Sequence, residues 1–164
     1  MHRDSSDFYA LNFFAFFTAL LLNNTSAQIV FSQEYGGAAD DDGRWMEQLP
    51  DSGFIMVGGS ETYSNGQSDA WMVRADLYGN ILWTRSFGGP LFDFANMVKP
   101  TTDGGFIIAG FTPDSAGSND GWIIKTNSTG GMMWEKKIGN SGLQEFEAIV
   151  QTTDGGYAAV GIDY

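Results

Sequence analysis

The 164-residue chain has no cysteine, and its one histidine is His2. Without thiols there are no disulfides, cysteine-ligated metal sites or thiol nucleophiles. If the first 27 residues are a removed leader, as argued below, the remaining chain also lacks Ser-His and Cys-His nucleophile systems and the usual zinc ligands. Basic residues are few: 8 Lys and Arg stand against 20 Asp and Glu, giving a formal net charge of −12 and a pI near 4.1. That balance argues against nucleic-acid binding, which needs a basic patch, and against adhesion to anionic membranes. It is read first as solubility. Long amphipathic runs of helical period are absent too, which argues against a helical solenoid.

Residues 8–22, FYALNFFAFFTALLL, form an apolar stretch of about fifteen residues, short of the roughly twenty needed for a membrane helix. Small residues follow at Thr25-Ser26-Ala27. The segment reads as a secretory signal, 1–27, cut after Ala27. Its basic start is weak, since Arg3 is opposed by Asp4 and Asp7. A buried helix or an uncleaved anchor is the alternative. A secreted location, or one at the cell surface, then follows, with no membrane insertion after the signal is removed. A disulfide-free exported protein depends on packing, and an aromatic content of 15% suits that dependence.

What is present in abundance is repetition. DSGFIMVGG at Asp51 returns as DGGFIIAGF at Asp103 and DGGYAAVGI at Asp154, a period of about 51 residues. Other markers keep the order: Asp69-Ala70-Trp71 and Asp120-Gly121-Trp122, Trp83 and Trp134, Phe87-Gly88-Gly89 and Ile138-Gly139-Asn140. Such a period marks a repeat architecture. Each unit reads as four short strands. The first lies near 44–49, 96–101 and 147–152. An Asp-Gly-Gly-type turn follows, with glycine supplying positive φ and Asp bonding its own backbone. The second strands, 54–57, 106–109 and 157–160, are continuous apolar runs bracketed by glycine, the pattern of a strand buried on both faces. The third alternates: Trp71, Val73 and Ala75 face one way, Met72 and Arg74 the other, and Trp122, Ile124 and Thr126 repeat the first face. The fourth runs 81–87 and 132–138, anchored by Trp83 and Trp134.

Four hairpin-linked strands repeated radially predict an all-β fold, a β-propeller with four-stranded antiparallel blades. Residues 28–164 divide into an orphan strand 29–37, a unit 38–89, a unit 90–140 and a partial unit 141–164. The orphan aligns with 81–89, Phe31 standing where Trp83 stands, so it is expected to complete a last blade and clasp a ring. Because propellers typically use four to eight blades, the chain is expected to be the N-terminal part of a longer protein, the remaining blades being its first partner. Assembly of several copies is the other arrangement.

The unit resembles the propeller repeats of bacterial secreted and cell-surface proteins, many of which end in a type IX secretion sorting domain. A second resemblance is partial. Asp76-x-x-Gly79-x-x-x-Trp83-x-x-x-x-Gly88, repeated at Asn127, Gly130, Trp134 and Gly139, is similar to the tryptophan-docking motif of quinoprotein-type propellers, where it implies a role in holding blades together.

No catalytic or cofactor residue stands out. Asp51, Asp103 and Asp154 recur at turns, a structural role. Trp71, Trp83, Trp122 and Trp134 read as wedges between blades, with sugar-stacking platforms as the alternative. Gly88 and Gly139 are structural repeat positions as well. Asp40-Asp41-Asp42, with Asp93 in the next unit and Glu145 and Glu147 after it, is the densest acidic cluster. A solvated loop is the plain reading and calcium the functional one, although EF-hand spacing is missing. The polar loops 60–68 and 112–119 vary between units and are the expected binding surface. The expectation is a non-enzymatic scaffold for a protein or glycan ligand. The alternative is a propeller enzyme, either a quinoprotein-like dehydrogenase or carbohydrate-active.

Overall fold

The computed structural model describes residues 15–23, 26–140 and 142–164, with side chains from Ser32 onward. The described residues form twelve strands and no helix, hence no helix able to cross a membrane. Strands β1 (Ala15–Asn23) and β2 (Ser26–Tyr35) pair antiparallel. A four-stranded antiparallel sheet follows in sequence order: β3 (Asp41–Gln48), β4 (Phe54–Ser60), β5 (Asp69–Ala75) and β6 (Ile81–Phe87). A second repeats it: β7 (Phe94–Pro100), β8 (Phe106–Pro113), β9 (Asn119–Thr126) and β10 (Met132–Ile138). Strands β11 (Gln144–Gln151) and β12 (Tyr157–Asp163) pair as a third sheet. The expected signal segment lies partly outside the described residues, at 1–14 and 24–25, and its middle forms β1. The side chain of Phe31 also lies outside them.

The fourth strands fall where the sequence places them. The first and second strands run further than the apolar blocks suggest. β4, β8 and β12 continue through Gly58, Gly110 and Gly161 because each glycine faces a bulge in its first-strand partner. A Cβ on any of the three would collide with a main-chain carbonyl, of Asp42, Phe94 or Glu145 respectively. Glycine here extends the strand rather than ending it.

Hydrophobic side chains meet between sheets. One core joins Ile55, Val57, Ala70 and Met72 of the first four-stranded sheet to Val98, Phe106, Ile108, Trp122 and Ile124 of the second. The opposite face of the first sheet, with Phe54, Met56, Trp71 and Val73, packs on Tyr35 at the end of β2. The opposite face of the second, with Ile107, Ala109 and Ile123, packs on Ile149 of β11. β4 is accordingly buried along its whole length. The backbones of β3 and β7, and of β7 and β11, run close together, whereas no such approach joins β6 to β10. The sheets therefore splay from their first strands.

Candidate functional site: the loop end of the sheets

The two ends of the sheets differ in kind. At one end, the turns repeat. Leu49, Thr101 and Thr152 each donate a main-chain N–H to the carbonyl four residues on, at 2.8, 2.9 and 2.9 Å. Asp51, Asp103 and Asp154 accept from the amides of Gly53, Gly105 and Gly156 at 3.1, 3.0 and 3.1 Å. Gly104 and Gly155 take φ of +80° and +87°, and Ser52 occupies the same position at +67°. Arg74 pairs with Asp51, and Lys125 with Asp103 at 2.9 Å, both cations being buried. Hydrogen bonds from Thr101, then Lys125, then the Gly105 amide hold the Asp103 carboxyl well below its ordinary range.

The same end holds the partners of Trp83 and Trp134. The Trp83 ring packs where a Cβ on Gly130 would lie, 2.8 Å from its Cζ3, and meets Phe106 with centroids 6.2 Å apart. Tyr35 donates its hydroxyl to the Gly79 carbonyl at 2.8 Å. Trp134 meets Tyr157 at 5.7 Å but stays 39% exposed. Trp71 and Trp122 are buried between sheets, at 4% and 3% exposure. Trp122 Nε1 donates to Glu135 at 2.7 Å.

At the other end lie 36–40, 60–68, 88–93 and 112–119. A recurring carboxylate or amide tethers this end. Gly37, Gly89 and Asn140 donate their amides to Asp41, Asp93 and Gln144 at 2.8, 2.8 and 2.9 Å. Asp41 also accepts from Ser60 and, at 2.9 Å, from Thr62. The carboxylates of Asp69 and Asp93 each come within 2.7 Å of the place where a Gly88 Cβ would be. At Gly139 the Asp120 carboxylate occupies the same position. Burial, then the neighbouring Asp93 charge, pushes the Asp69 carboxyl up against the hydrogen bonds it accepts from Asn65.

The acidic run Asp40-Asp41-Asp42 does not converge. Asp41 turns inward to Ser60, Asp42 pairs with Arg44 at 3.5 Å, and Asp40 is exposed. Among the described residues no group of three or more His, Cys, Asp or Glu is placed to hold a metal.

A cleft of about 410 Å³ opens beside this run, lined by Asp40, Asp42, Glu61, Phe92 and Phe94 among others. Phe92 and Phe94 line it, and Phe111 packs against both. Phe92, Phe94 and Phe111 have centroids 5.9, 6.1 and 5.9 Å apart and ring planes within 17° of one another. Three parallel rings that are mutually equidistant cannot form a straight column, so they stack with mutual offsets. Phe94 lies flat because Gly59 has no Cβ to strike it. The Arg44 guanidinium sits 5.0 Å over the Phe94 centroid.

Sequence reasoning did not single out these phenylalanines. The signal was available: aligning GGAADDD (36–42) with GGPLFDF (88–94) puts Phe92 on Asp40 and Phe94 on Asp42. Equivalent positions of adjacent units thus carry opposite chemistry, and the fold brings both sets to one cleft. The loops 60–68 and 112–119 stand at this end, and both Glu61 and Ser68 reach the cleft. No protein-family model and no curated protein matches the chain.

Proposed function

We propose that the chain is part of a secreted or cell-surface β-propeller serving as a binding scaffold, and that its loop end receives a protein or glycan ligand. The splay of the sheets from their first strands, with a hydrophobic core at each junction, supports the propeller reading. The observation that carries the binding reading is the cleft between the first two four-stranded sheets. Scaffold residues recur from unit to unit, whereas Phe92, Phe94 and Phe111 stand where the first unit has Asp40, Asp42 and Gly59. A frame needs its repeated positions; departures gathered at one concave, aromatic place favour recognition.

The test is a chemical-shift titration of the full chain with neutral oligosaccharides and with short peptides. Perturbed amides are expected to cluster at 40–42, 61–68, 92–94 and 112–118. Shifts scattered over the strands, or gathered at 49–53 and 101–105, would refute the assignment.

A further inference from the structure

We infer that the cleft at 40–42 and 92–94 takes a guanidinium or ammonium side chain from a basic segment of a partner protein. The inference rests on the loop end being a binding face, and it names the class of ligand.

Three observations converge. The cleft is lined by Asp40, Asp41, Asp42 and Glu61; Arg44 offsets Asp42, whereas Asp40 and Glu61 make no ion pair among the described residues, so the rim keeps a net negative charge that attracts cations. It exposes a ring: Phe92 is 42% accessible and stacks on Phe94 and Phe111. Aromatic faces attract cations through their quadrupole, more strongly where water is thinned. The third observation is an internal precedent. Arg44 of β3 already lays its guanidinium over Phe94 and pairs with Asp42 at 3.5 Å. Its repeat equivalent in the second unit is Asn96, so this cation is not part of the recurring frame. A partner's arginine or lysine meets the same two groups, carboxylate and ring, on the Phe92 side. The chain's charge of −12 favours the approach of a basic segment. A neutral glycan would use the ring and donate hydroxyls to the carboxylates, but would leave their charge uncompensated.

The experiment uses the full chain and a fluorescein-labelled peptide of three Arg-Gly pairs. The control is the same peptide with citrulline for arginine, which removes the charge and keeps a planar side chain of nearly the same shape with three of its five N–H donors. The arginine peptide is expected to bind saturably, and the citrulline peptide roughly 10-fold more weakly. Phe92→Ala, an exposed loop position, and the double variant Asp40→Asn, Glu61→Gln are each expected to weaken binding roughly 3- to 10-fold. Near-ultraviolet circular dichroism confirms that both variants keep the fold. Binding that vanishes with salt but ignores Phe92→Ala overturns the inference, because diffuse attraction to an acidic protein then explains it. Binding of a neutral glucan hexamer that is lost in Phe92→Ala, with no arginine preference, overturns the inference but leaves the binding face intact. Failure of both probes to perturb the loop end refutes the binding face as well.

Discussion

Lys125 lies buried beneath the second Asp-Gly-Gly turn and holds the largely exposed Asp103 carboxylate at 2.9 Å, while donating to the Thr126 carbonyl at 2.8 Å. Arg74 does the same beneath Asp51. Each pair ties the turn after the first strand to the end of the third strand, which explains why a cation recurs at a position facing a hydrophobic core. The cation is neutralised before it is buried, the condition under which a charge inside a protein is tolerated.

The Asp103 contact sets a pH dependence. Its carboxyl titrates lower in the folded chain than unfolded, so its contribution is complete above the unfolded value near 4. That contribution is lost as pH falls through the lower folded value. Melting temperature should therefore decline below about pH 4, and Asp103→Asn should flatten that decline while lowering the plateau at neutral pH. Thermal denaturation of both proteins between pH 2 and 7 (buffer conditions, about 0.1 M salt) checks this.

Burial separates the tryptophans. Trp122→Ala removes a ring that is 3% exposed between two sheets, and a loss of about 3 to 5 kcal/mol is expected. Trp134, 39% exposed, should cost about 1 kcal/mol or less on truncation. Urea denaturation of the two variants decides the point; equal losses would contradict the packing described.

Gly110→Ala drives a methyl group into the Phe94 carbonyl across the bulge. The obstacle is main chain on both sides, so relief requires the strands to part. A loss above about 2 kcal/mol is expected, together with altered near-ultraviolet dichroism from the displaced Phe94. A variant with wild-type stability would show that the β7–β8 bulge accommodates a methyl group.

Ser52 is a left-handed residue in a turn whose repeats use glycine. Left-handed backbone costs a side-chain-bearing residue about 1 kcal/mol or more, part of which glycine gives back as unfolded-state entropy. Ser52→Gly should raise stability by about 0.5 kcal/mol, read as a higher urea midpoint. The converse change, Gly104→Ser, should lower it.

The frame was legible because each unit repeats its own constraints. Asp-Gly-Gly turns, the alternation at Trp71–Ala75 and the spacing of Trp83 and Trp134 locate strands without reference to neighbours. Gly58, Gly110 and Gly161 misled on strand length, since a glycine that admits a facing carbonyl looks the same in sequence as one that ends a strand. Exposure was also hidden: Trp83 and Trp134 are equivalent, yet how deeply each is buried depends on what another sheet places over it. The aromatic cleft was obscured for a different reason. Attention to what recurs passes over Phe92 and Phe94, whose interest lies in failing to recur.

The tether from Gly37 to Asp41, and from Gly89 to Asp93, fixes the middle residue of each entry loop and does not involve the side chains on either side of it. Those flanking places carry acids at 40 and 42 and aromatics at 92 and 94 while the tether is kept, and Phe94 is admitted because Gly59 has no Cβ. The cleft draws one flank from each of two neighbouring units, so altering either unit alters its lining.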